Sequence, residues 1–108
     1  MSKNLTITVL LDFYGELLTK KQADALRLYY DEDCSLSEIA DDMGISRQGA
    51  RDFIKRGELQ LFELEEKLGL VKRFEKITKA ALELEEILKE QNVSIEAKQL
   101  LERIKDNL

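Results

Sequence analysis

The sequence predicts an all-α protein organised around a helix-turn-helix, with a helical extension behind it. Three observations carry that expectation. A helix-turn-helix signal is written out between Ser35 and Lys55. Proline is absent and only five glycines occur in 108 residues, which favours long helices. Apolar residues recur at helical spacing along nearly the whole chain, and the one alternating run, Thr6–Val9, lies inside a helical pattern.

The first helix is expected from about Lys3 to Leu18. Leu10, Leu11, Phe13, Tyr14, Leu17 and Leu18 crowd one wide face of it, and Gly15 marks a place for a close helix contact. Thr19 and Gln22 have the spacing of a capping box and open a helix over 20–30, with Ala23, Leu26 and Tyr30 inward. Asp31–Cys34 reads as a short polar connection. Ser35 and Glu38 form a second capping box, and Leu36, Ile39, Ala40 and Met43 give the next helix one buried face. Ala40 is small where the following helix must approach. Gly44 sits where the chain needs a positive φ, Ile45 pins the turn to the core, and Ser46 caps the second helix. That helix continues to about Leu68 before Gly69 stops it.

At about 100° per residue, Ala50, Phe53, Ile54, Gly57, Leu61, Leu64 and Leu68 fall in one stripe, the expected core face. Gln48, Asp52 and Lys55 lie opposite, flanked by Arg47, Arg51 and Arg56. Leu59 and Phe62 miss the stripe and point to the exposed side. Either the C-terminal segment folds back over them or they meet a second chain. From Leu70 the positions Leu70, Phe74, Ile77, Ala81, Leu84 and Leu88 step by 4-3-4-3-4, a heptad seam. Ser94 caps a last helix through Ala97, Leu101, Ile104 and Leu108. The organisation is therefore a helix-turn-helix domain over 1–69, with its motif at 35–56, and a helical hairpin over 70–108. That hairpin either packs on the domain or forms a homodimer seam, with Leu59, Phe62, Phe74, Ile77, Leu84 and Leu88 as the candidate interaction surface.

Chemistry is narrowed by what the chain lacks. There is no histidine and one cysteine, Cys34, so His-based catalysis, zinc fingers and internal disulfides are excluded. No glycine-rich phosphate loop occurs. Acid pairs such as Asp31–Asp33, Asp41–Asp42 and Glu85–Glu86 read as solvated faces. No enzyme, metal or cofactor is expected. No apolar run reaches the ~18 residues of a membrane span. A lone cysteine fits a reducing compartment, and a cytoplasmic protein without membrane contact is expected.

The net charge of −5 argues against an indiscriminate nucleic-acid binder. Within 46–56, however, Arg47, Arg51, Lys55 and Arg56 face Asp52 alone. In helix-turn-helix proteins the second helix enters the major groove through its N-terminal residues. Arg47, Gln48 and Arg51 occupy that place, and arginine and glutamine pair with guanine and adenine edges. Ser46, Lys55 and Arg56 suit phosphates. Asp52 opposes phosphate, and Gly49 removes a side chain from the first turn. The same basic residues would also serve as a solvated face in a protein-interaction module whose degenerate helix-turn-helix binds no nucleic acid.

Two resemblances rest on these residues. L-T-K-K-Q at Leu18–Gln22, L-R-L-Y-Y at Leu26–Tyr30 and the motif from Ser35 to Arg51 resemble the fourth region of the bacterial sigma-70 family. The resemblance implies a sigma-70 region 4-like helix-turn-helix bundle. Gln48, Gly49 and Asp52 stand where that family places its base-reading set, and its other regions are absent. From Leu11 to Leu70 the chain is similar to the YlxM-like family of small helix-turn-helix proteins. D-F-Y at Asp12–Tyr14, L-L-T-x-K-Q at Leu17–Gln22, L-Y-Y-x-x-D at Leu28–Asp33 and S-L-x-E-I-A at Ser35–Ala40 carry it. I-S-R-Q at Ile45–Gln48, I-K-R at Ile54–Arg56 and E-E-K-L-G-L at Glu65–Leu70 complete it. This resemblance implies a regulatory or accessory role in the signal recognition particle pathway. Its partners would be operon DNA, the particle's RNA or its protein. Gly49, Arg51, Phe53 and Gly57 depart from that family's usual residues.

Overall fold

The computed structural model describes residues 5–108 and is helical throughout, with no strand among the described residues. The helices are α1 (Leu5–Tyr14), α2 (Lys20–Tyr30), α3 (Leu36–Met43), α4 (Arg47–Leu68), α5 (Leu70–Lys89) and α6 (Ile95–Asp106). The chain divides into two compact units, Met1–Gly69 and Leu70–Leu108.

Local sequence sets nearly every boundary in the first unit. Thr19 accepts from the Gln22 amide at 3.2 Å while Gln22 Oε1 accepts from the Thr19 amide at 3.3 Å, closing the first capping box. Ser35 and Glu38 close the second at 3.1 and 3.0 Å. Each box satisfies two amides that a helix start otherwise leaves open. α3 stops because Gly44 turns left-handed at φ 65°, which lets the Ile45 amide reach back to the Ala40 carbonyl at 3.0 Å. Gly69 ends α4 in the same way, at φ 62°.

The first helix is shorter than its apolar pattern suggests. The expected start at Lys3 lies outside the described residues. At the other end α1 gives way after Tyr14 to a 3-10 turn over Gly15–Leu17, and Leu18 is extended. That change of path rotates Leu17 out to 57% exposure, and Phe13 is also exposed, while Leu10, Leu11, Tyr14 and Leu18 are buried. Phe13 and Leu17 therefore leave the expected core face, and Ile7 joins it.

α4 is the centre of this unit and packs against α1, α2 and α3. Ala50, Ile54, Gly57 and Leu61 form its buried stripe, with Phe53 and Leu64 half-buried. Leu68, expected in that stripe, is exposed: it is the last helical residue before the Gly69 turn. The tightest approach lies between α2 and α4. A Cβ built on Gly57 would stand 2.6 Å from Leu26 Cδ1 and 3.2 Å from its Cγ, and Leu26 is fully buried. Two tyrosines tie α4 to its neighbours beyond this crossing. Tyr30 on α2 donates to Glu58 Oε1 at 2.5 Å, and Tyr14 on α1 donates to Glu65 Oε1 at 2.5 Å.

The second unit is a hairpin of α5 and α6. Ser94 caps α6 by accepting from the Ala97 amide at 3.2 Å. Lys105 on α6 pairs with Glu85 on α5, and Glu102 supports it at 3.4 Å. The ion pair holds the Glu85 carboxyl below, and the Lys105 ammonium above, their ordinary values. Of the heptad seam read from the sequence, Ala81 is buried and Phe74 and Leu88 are half-buried, but Leu70, Ile77 and Leu84 stay exposed. On α6, Leu101 is buried while Ile104 is exposed, and Leu108, expected in this helix, lies exposed beyond its end at Asp106.

Gly57→Val is expected to destabilise the protein by about 1–3 kcal/mol despite removing a glycine from a helix, because Leu26 has no room to yield. Chemical denaturation of the two proteins measures it. Burial, the Glu58 hydrogen bond and the Glu58 charge all raise the Tyr30 hydroxyl above its ordinary value of 10.0. The folded state thus holds that proton more tightly than the unfolded chain. The corresponding stability is intact below pH 10 and is lost as pH rises beyond it. An ultraviolet titration should show a late-ionising tyrosine component, and Tyr30→Phe should remove the share of it that Tyr30 contributes.

Candidate nucleic-acid interface

α3, the Gly44–Ser46 turn and the first three turns of α4 form the helix-turn-helix. Buried Ile39 and Ala40 on α3 and Ala50 and Ile54 on α4 hold the two helices together. Burying that side of α4 leaves Arg47, Gln48, Arg51, Lys55 and Arg56 exposed on its remaining surface. Among the described residues, no carboxylate forms an ion pair with any of these four cations. They stand free in a chain whose net charge is −5.

Ser46 is the N-cap of α4. Its Oγ accepts from the Gly49 amide at 2.9 Å. The hydroxyl proton is not consumed by the cap, so Ser46 keeps one donor for an outside acceptor. Gly49 is half-buried, and a Cβ there would lie 3.2 Å from that same Oγ. The glycine thus relieves crowding against the cap as well as trimming the first turn.

Asp52 differs from its sequence reading. It is half-buried, and its Oδ1 accepts from Gln48 Nε2 at 3.1 Å, one helical turn back. The carboxylate therefore orients Gln48, leaving the amide oxygen and one N–H of Gln48 for other partners. The i,i+4 spacing was the signal for this pair, and reading Asp52 only as a repulsive charge missed it. Leu59 and Phe62 lie further along α4, exposed at 63% and 45%.

A groove elsewhere on this unit is lined by Lys20, Lys21, Asp24, Arg27, Glu32 and Asp42. Its three cations and three carboxylates balance, so it offers no net attraction to an anion. No group of His, Cys, Asp and Glu among the described residues could hold a metal, and no described helix is long and apolar enough to cross a membrane.

The fold and this exposed basic helix start define a helix-turn-helix protein. The model of the UPF0122 family, described as "Putative helix-turn-helix protein, YlxM / p13 like", matches residues 1–106, and the chain belongs to that family. Among its relatives, a UPF0122 protein of Acetivibrio thermocellus is 44% identical over 111 residues, covering 100% of this chain and 95% of the relative. One from Halalkalibacterium halodurans is 44% identical over 104 residues, covering 96% and 95%. One from Bacillus cereus is 41% identical over 105 residues, covering 96% of each. The match extends through the α5–α6 hairpin, well past the stretch from Leu11 to Leu70 on which the sequence resemblance rests.

Asp52→Asn keeps the shape and a hydrogen-bonding partner for Gln48 while removing a negative charge amid four cations. It is expected to tighten binding to duplex DNA severalfold at low salt and to leave the helix content unchanged. A fluorescence-anisotropy titration beside circular dichroism checks both.

Proposed function

We propose that this protein binds nucleic acid through the N-terminal half of α4, as a regulator or accessory of the signal recognition particle pathway. The observation that carries the reading is the set of four exposed, unpaired cations on the second helix of the motif. Arg47, Gln48 and Arg51 would meet base edges from the major groove. Ser46, Lys55 and Arg56 would meet the backbone, the serine through its free hydroxyl proton. Outside this surface the first unit is acidic and repels nucleic acid, so binding by that unit depends on it. The targets that fit are the operon's own DNA and the signal recognition particle RNA, with the particle's protein as a further partner. The work is binding, without catalysis, and is cytoplasmic.

A second reading has its own observation. Leu59 and Phe62 are too exposed for a helix whose neighbouring positions are core, and they suit a protein partner. In that case α4 would serve contact through its middle while its basic start stays in water.

Salt separates the two. Binding through four to six phosphates should lose affinity with a log–log slope of about −4 to −5 on B-DNA. Titration against promoter DNA, the particle RNA and a scrambled duplex should show a salt-sensitive preference for one of them. Arg47→Ala/Arg51→Ala should abolish that preference. No binding to any of the three at low salt would overturn the nucleic-acid reading.

A further inference from the structure

The α5–α6 hairpin has two unlike sides. One is a groove lined by Leu88 and Leu101, with the charged side chains of Glu85, Lys89, Lys98 and Glu102 around them. The other follows from helical phase. With Ala81 and Glu85 turned towards α6, the residues about 90° around α5 on the side away from the groove are Ile77, Ala80, Leu84 and Ile87. On α6, Leu100 and Ile104 open to the same side. All six are exposed, with Ile77, Leu84, Ile87, Leu100 and Ile104 between 43% and 56%. The α5 positions step by 3-4-3, the spacing of a coiled-coil seam. Only Ala81 and Leu101 are buried in the whole hairpin, far less than a unit of that size needs to hold itself together.

Charge identifies the occupant. The first half of α5 carries Lys72, Arg73, Lys76 and Lys79 against Glu75, and the second half carries Glu83, Glu85 and Glu86 against Lys89. Cations near a helix start and anions near its end oppose the helix's own dipole. An antiparallel copy of the same helix removes that conflict, since each basic half then lies along an acidic half. Ala80 lies beside the midpoint of α5, where a two-fold axis would cross and a small side chain permits close approach. With the axis at that midpoint, between Lys79 and Ala80, Lys76 lies level with Glu83 of a second chain and Ile77 packs between its Ala80 and Leu84. Lys76 and Glu83 are exposed and, among the described residues, have no ion-pair partner.

We infer that this face pairs with a second copy of the chain, antiparallel through α5, in a two-fold dimer sealed by Lys76–Glu83 pairs at both ends of the seam. Such an isologous contact uses one patch on both subunits. The dimer goes beyond the nucleic-acid reading and stands or falls without it, because no ligand enters the contact.

The test is sedimentation equilibrium of the full chain without nucleic acid, from micromolar to millimolar. The wild type should sediment at twice the chain mass. Lys76→Glu or Glu83→Lys alone sets like charges together at both ends and should raise the dimer dissociation constant about tenfold or more. The combined K76E/E83K protein should return to within a few-fold of wild type, a rescue that only self-pairing in this register produces. Both positions are exposed, and circular dichroism confirms that each variant folds. As a second probe, Leu84→Glu should leave a monomer. A wild type that stays monomeric throughout, a dimer indifferent to Leu84→Glu, or a double variant as weak as either single one would overturn the inference.

Discussion

The approach of α2 to α4 at Gly57 is the constraint on which the first unit depends. A helix axis can come this near another only where a side chain is missing, and Leu26 fills the space that a Cβ would take. With that crossing fixed, the phase of α4 is fixed too. Ala50, Ile54 and Leu61 must face inward, and the basic residues between them must face out. α3 then has one place to lie, across the buried start of α4, with Ala40 and Ala50 giving it room. Tyr14 and Tyr30, hydrogen-bonded to Glu65 and Glu58, fasten the same helix at two further points. Each hydroxyl satisfies a carboxylate that the packing would otherwise partly strip of water.

Charge is distributed with the same economy. The protein is acidic as a whole, yet one helix start gathers four cations and leaves them unpaired. Among them Asp52 is held by Gln48 instead of by an arginine, so it offsets part of their field without pairing with any one of them. Within the first unit the remaining sequence is acidic, so these cations stand out against it. In the hairpin, charge is sorted along a single helix, and the order of signs runs against the helix's own dipole.

What the sequence made legible is what short-range chemistry decides. The Thr19–Gln22 and Ser35–Glu38 boxes, the Ser46 and Ser94 caps and the left-handed Gly44 and Gly69 are each readable within four residues, and the helix limits follow them. The Gln48–Asp52 bond was equally local but was masked by attention to the charge of Asp52. Less legible was whatever needs a distant partner. Phe13 and Leu17 fit an apolar stripe, but the chain leaves the α-helical path at Gly15 and carries Leu17 to the outside. The partners of Tyr14 and Tyr30 lie 51 and 28 residues away, beyond any periodic signal. The α5 seam shows the same limit. A heptad spacing gives a stripe but not which edge of it meets α6, and the structure turns Ala81 and Leu88 inward and leaves Ile77 and Leu84 outside.

The 22 residues of α4 serve two tasks on one rigid rod. Its middle is clamped at Gly57, and its tip at Arg47 projects about 15 Å beyond that fulcrum. A tilt of only about 10° at the crossing would swing the tip through roughly 2.5 Å, close to the length of a hydrogen bond. The direction of the helix start is therefore set in the core, by Leu26 against Gly57 and by α3 against Ala50 and Ile54. Buried residues thus limit how finely that exposed tip can be aimed.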